Sequence, residues 1–106
     1  MAYNDPMLLL KPEQKQALER FCEQHGVARL SFFGSVTTNR FGPESDIDVL
    51  LEFKPGQVPG FSFFRLADEL AAILDHKVDL TTVDGLHPYL KDEIIASAQT
   101  YYVARA

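Results

Sequence analysis

Three aspartates, Asp46, Asp48 and Asp79, stand where carboxylates can gather. Asp46 and Asp48 are two positions apart in the run Asp46-Ile47-Asp48-Val49-Leu50-Leu51-Glu52-Phe53. In an extended chain, alternate residues share a face. Ile47, Val49, Leu51 and Phe53 therefore fall on one side and the two aspartates on the other, ~6.6 Å apart along the backbone. Carboxylates held this close repel each other, and Mg²⁺, which prefers hard oxygen ligands, relieves the repulsion. The pair alone does not separate a metal site from two solvated acids on an edge strand. Asp79 lies in a similar pattern, with Val78 and Leu80 turned one way and Lys77, Asp79 and Thr81 the other. Taken alone, it reads first as an exposed acid. If the two strands pair side by side, three carboxylates converge. Three acids can hold two metal ions ~3.5–4 Å apart, which clamps the attacking and leaving oxygens of phosphoryl transfer.

A candidate phosphate-binding turn precedes the Asp46/Asp48 pair. Val27-Ala28-Arg29-Leu30-Ser31-Phe32-Phe33 reads as a strand running into Gly34-Ser35. Glycine lets a phosphate approach the backbone, and the free N–H groups with the Ser35 hydroxyl can bind its oxygens. A lone Gly-Ser is more often a strand-ending turn. The order strand, Gly-Ser, gap, Asp-x-Asp is what would turn donors from one strand end and metal ligands from the next toward a triphosphate.

The elements that must position these residues follow from the periodicities. Pro12 opens a helix carrying Ala17, Leu18, Phe21 and Cys22, and Gly26 stops it. Residues 36 to 45, with Gly42-Pro43, form a turn or short helix and then a loop, and 54 to 60 form a Pro/Gly loop. Phe64, Leu66, Ala67, Leu70, Ile73 and Leu74 mark a second amphipathic helix. A third strand spans 76 to 82, and after Asp84-Gly85 and Pro88 a last helix carries Leu90, Ile94, Ile95 and Ala98. The order helix, strand, strand, helix, strand, helix predicts an α/β or α+β fold, a small sheet covered by helices. The expectation is a single domain over residues 1–106, with residues 1–10 as a loose or docking arm.

The totals narrow the function classes. An apolar share of 46% with 24% charged residues is that of a soluble globular domain. A net charge of −5 and a pI near 5.0 argue against sequence-independent nucleic-acid binding, which needs clustered Lys and Arg. The single cysteine, Cys22, permits no intrachain disulfide and reads as a small buried apolar residue. No secretory or membrane segment is evident, so a cytoplasmic protein is expected. His25, His76 and His87 show no metal-ligand spacing, Phe61, Phe63 and Phe64 read as core or interface, and Tyr101 and Tyr102 as core.

The run Phe33-Gly34-Ser35-Val36-Thr37-Thr38-Asn39-Arg40, followed by Ser45-Asp46-Ile47-Asp48-Val49-Leu50, resembles the signature of the minimal nucleotidyltransferases (MNT) of the polymerase-β superfamily. Asp75-His76-Lys77-Val78-Asp79-Leu80-Thr81-Thr82 resembles the strand that supplies that family's third carboxylate. The match runs nearly the whole chain, with one departure: family members often carry Gly where Asp75 stands. The resemblance implies a polymerase-β-type palm, a small mixed β-sheet with flanking helices. It also implies roles. Gly34 and Ser35 would bind the β- and γ-phosphates of ATP, with Arg40 either helping to neutralise the triphosphate or serving as a surface arginine. Asp46 and Asp48 would ligate two Mg²⁺ ions, and Asp79 the one that activates the incoming hydroxyl. Small stand-alone members resemble the antitoxin of a HEPN/MNT toxin–antitoxin pair, so the implied partner is a HEPN-domain ribonuclease toxin and the implied reaction is AMP transfer to its tyrosine. A non-catalytic antitoxin acting by occlusion and a small-molecule nucleotidyltransferase are the alternatives.

Overall fold

Pro12 begins helix α1 (Pro12–His25) at a first-turn position where its missing N–H costs no hydrogen bond. Just before it, the Lys11 N–H donates to Gln14 Oε1 at 2.8 Å. At the other end Gly26 adopts the left-handed conformation, and its N–H donates to the Cys22 carbonyl. The computed structural model describes residues 10–34, 42, 44–57, 60 and 63–104. Most of the expected N-terminal arm, Phe61 and most of the expected turn at 36–45 lie outside them.

After α1 come strands β1 (Val27–Phe33) and β2 (Ile47–Phe53), helix α2 (Phe63–Leu74), strand β3 (Val78–Thr82), helix α3 (Pro88–Ser97) and strand β4 (Gln99–Val103). The strands form one mixed sheet in the order β3-β2-β1-β4. β1 runs antiparallel to both β2 and β4. β2 and β3 are parallel, and the chain between them passes through α2, as a parallel pair requires.

One face of the sheet carries the core. Leu30 and Phe32 of β1 and Ile47, Val49 and Leu51 of β2 are fully buried there. Leu66, Leu70 and Leu74 of α2 recur every fourth residue and join the same cluster, as do Leu18 and Phe21 of α1. Cys22 lies among them, and burial pushes its thiol pKa up to about 12, so it is a packed apolar residue and not a nucleophile. The architecture is α+β, a small mixed sheet with flanking helices, as the sequence implies.

Three details differ from the sequence expectation. β2 begins at Ile47, so Asp46 stands one residue before the strand: the first ladder contact of this edge is the Ile47 N–H donating to the Lys77 carbonyl at 2.9 Å. A fourth strand, β4, was not expected; it follows α3 after Ala98 alone. Helix α3 buries no residue against the core, and Leu90 and Ile95 are 51% and 42% exposed. Its Ile95 and the capping Ala98 line a cleft over the opposite face of the sheet.

Candidate active site

The end of β1 delivers Gly34 beside the start of β2, because Phe33 pairs with Asp48 across the antiparallel ladder. Gly34 has φ = 73°, a conformation that L side chains avoid, and a Cβ built there would run into the Asp48 carboxylate. Only glycine lets this turn and that carboxylate share the space. Ser35 and Arg40, the other two residues expected to bind phosphates, lie outside the described residues.

The parallel ladder supplies the third acid. Ile47 pairs with Val78, Asp48 with Asp79 and Val49 with Leu80. Strand neighbours lie ~4.8 Å apart, so the two carboxylates leave the same face side by side. Ile47 and Val49 hold Asp48 in place by turning into the core on the opposite face, fully buried on either side of it. Asp46 and Asp48 are half-buried, whereas Asp79 is exposed.

This crowding has an electrostatic signature. Burial, then the charges of Asp79 and Asp46, then a side-chain hydrogen bond with Asp79, push the Asp48 pKa up from its ordinary value of 3.8. An all-oxygen donor set whose charges oppose one another suits a hard divalent cation. Asp48 and Asp79 form the assembled pair, and Asp46 acts on it electrostatically. Among the described residues, no group of three acids, histidines or cysteines is drawn together closely enough to hold a metal ion.

The histidines have other tasks. His25 contacts Glu69 at 3.2 Å and packs on the Phe21 ring. The His76 Nδ1 lies 3.2 Å from the Leu74 carbonyl. His87 caps α3, accepting the Tyr89 N–H at Nδ1, and stacks on the Tyr89 ring. Of the phenylalanines, Phe63 is half-buried and Phe64 is 78% exposed.

Sequence reasoning missed the cleft on the acid-bearing face. About 250 Å³ in volume, it is floored by Ser31, Leu50 and Thr100 and walled by Val83, Ile95 and Ala98. Arg29 and Glu52, 3.8 Å apart, close one end. Its one visible signal was the alternation of the polar Arg29 and Ser31 with the apolar Leu30 and Phe32 in β1. The other half of the cleft depends on β4 and α3.

The nucleotidyltransferase domain model matches residues 14–101. A protein of Methanocaldococcus jannaschii described as "Putative protein adenylyltransferase" is 43% identical over 75 residues, covering 71% of this chain and 80% of that protein. A solved structure described as a "putative minimal nucleotidyltransferase" superposes with a TM-score of 0.67 at 30% identity, covering 80% of this chain and 86% of the other. A Shewanella oneidensis MNT antitoxin, solved in complex with a tri-AMPylated HEPN toxin, shares the fold at 18% identity, with a TM-score of 0.63 and coverage of 86% and 71%. With a mixed sheet that sets a glycine turn against paired aspartates, and a family match across most of its length, this chain belongs to the nucleotidyltransferase family and is a minimal nucleotidyltransferase enzyme.

Proposed function

We propose that the enzyme moves AMP from ATP to a protein hydroxyl, a tyrosine of a HEPN-domain ribonuclease toxin, and so acts as the toxin's antitoxin in the cytoplasm. The observation that carries this reading is the Asp48–Asp79 pair, set on parallel strands beside the Gly34 turn. The M. jannaschii relative's description and the AMPylated toxin in the Shewanella complex support the nucleotide and the partner.

In this reading Gly34, Ser35 and Arg40 hold the β- and γ-phosphates. Asp48 and Asp79 would hold two Mg²⁺ ions, with Asp46 drawn in as a further ligand by the bound charge. These would neutralise charge on the triphosphate and make the acceptor hydroxyl a better nucleophile. The strands keep the acids in place against mutual repulsion, since Ile47 and Val49 anchor Asp48 from the core side. Pyrophosphate departs on the Gly34 side.

Intact-mass spectrometry of the neighbouring gene's product, incubated with this protein, Mg²⁺ and each nucleoside triphosphate in turn, tests the proposal. A gain of one or more AMP units that is lost in the Asp46→Asn/Asp48→Asn double variant is the expected result. No gain, with a complex that survives the double substitution, would identify a non-catalytic antitoxin that works by occlusion.

A further inference from the structure

Residues along the acid-bearing face follow a fixed order. Starting from Gly34, β2 presents Asp48, then Leu50, then Glu52, opposite Phe33, Ser31 and Arg29 of β1. The phosphate turn is therefore at one end, the acids come next, and the cleft begins one residue pair beyond them, ~6.6 Å along the strand. In-line displacement places the attacking and leaving oxygens on opposite sides of the phosphorus. If the leaving group lies toward Gly34, the nucleophile arrives from the cleft.

The lining indicates what kind of group arrives. Leu50, Val83, Ile95 and Ala98 offer apolar surface on the floor and walls, suited to a flat ring. Ser31 and Thr100, paired across β1 and β4 with their hydroxyls 3.5 Å apart, add a polar strip to the floor. The charges of Arg29 and Glu52 offset each other across 3.8 Å, so the cleft favours a neutral occupant. A phenol is neutral, flat and carries its hydroxyl at the tip.

We propose that this cleft is the acceptor subsite, seating the ring of the acceptor tyrosine so that its hydroxyl reaches the α-phosphorus beside Asp48 and Asp79. The inference rests on the transferase reading above. In the step it serves, the phenol oxygen bonds to the α-phosphorus and the bond from that phosphorus to the bridging oxygen breaks. Pyrophosphate leaves with the electron pair, and the phenolic proton passes to water.

Two cleft-filling variants test it, Ala98→Trp and Ile95→Trp; Ile95 is already 42% exposed, so the second should fold even where the first does not. Three quantities are measured for each folded variant: AMP transfer to the proposed partner ribonuclease, affinity for AMP-PNP with Mg²⁺, and affinity for that ribonuclease. A misplaced acceptor should slow transfer by ~10²-fold while both affinities stay at wild-type values. Undiminished transfer in a folded variant would overturn the assignment. So would a parallel fall in AMP-PNP affinity, which would make the cleft a nucleoside seat, or loss of the complex, which would make it a docking contact. A wild-type protein that transfers nothing to the ribonuclease would remove the transferase reading itself, and this inference with it.

Discussion

Asp48 stands directly opposite Asp79 in the parallel β2–β3 pair, and on its other side it presses against the space that a side chain at position 34 would occupy. The same carboxylate is thus bounded by an acid on one flank and a glycine on the other. This arrangement predicts different consequences for changes at Asp48 and at Gly34.

Stability without metal should depend on the Asp48 proton. Burial first, then Asp79 and Asp46, raise its pKa in the fold, so the folded state binds this proton more tightly than the unfolded chain does. The group's contribution to stability is complete below the unfolded value of about 3.9, and is lost as pH rises through the elevated folded value. In EDTA, thermal midpoints of the wild-type protein should fall relative to Asp48→Asn as pH climbs through that window. Adding Mg²⁺ at neutral pH should raise the wild-type midpoint and leave that of the variant unchanged. Circular dichroism melts across a pH series, with and without Mg²⁺, read this directly. Parallel profiles for the two proteins would contradict it.

Gly34→Ala should damage both fold and chemistry. The left-handed backbone costs an L residue ~1–2 kcal/mol, and the new methyl must displace the Asp48 carboxylate. Urea titration should register the first effect, and transfer assays a loss of activity well beyond what the lost stability explains.

Asp75 offers the opposite case. It ends α2 and is the one described non-glycine residue with positive φ, at 55°. Glycine adopts this left-handed backbone freely, whereas a residue with a Cβ is strained there. Asp75→Gly should stabilise the protein by ~0.5–1 kcal/mol, raising its melting midpoint by a few degrees, with transfer unchanged.

Core and surface phenylalanines should separate cleanly. Phe32 is fully buried and meets Tyr101 edge-on at 5.7 Å, so Phe32→Ala should cost ~3–5 kcal/mol and leave a domain of this size barely folded. Phe64→Ser, at a position 78% exposed, should stay within ~0.5 kcal/mol of wild type.

These contrasts mark what could be read from residue order and what could not. α1 was legible at both ends because Pro12 and Gly26 act locally, and β1 matched its expected range of 27–33. The alternation around Asp48 and Asp79 placed both acids away from the core before any contact was known. Their register was another matter. A parallel pair joined through a helix leaves no local trace in spacing, and only tertiary packing decides that position 48 meets 79 and not 77 or 81. β4 escaped notice because Gln99-Thr100-Tyr101-Tyr102-Val103 begins one residue after α3, with no Gly or Pro to separate them. Its tyrosines had been assigned to the core, and Tyr101 is buried there, but the strand that carries them had not been recognised. With β4 unseen, the cleft beside the acids was invisible too.

The parallel crossover also governs when the site comes into being. β1 and β2 can zip as antiparallel neighbours, but Asp79 reaches Asp48 only after α2 has folded and docked and the chain has returned in the same direction. Closing that long loop is slow compared with forming local structure, and its entropic cost is met only when the core packs. One of the two paired acids therefore arrives only with this long-range contact. A partly folded chain has no assembled metal-binding pair, so the maturation of activity should track completion of the β2–α2–β3 unit, not the earlier appearance of helix.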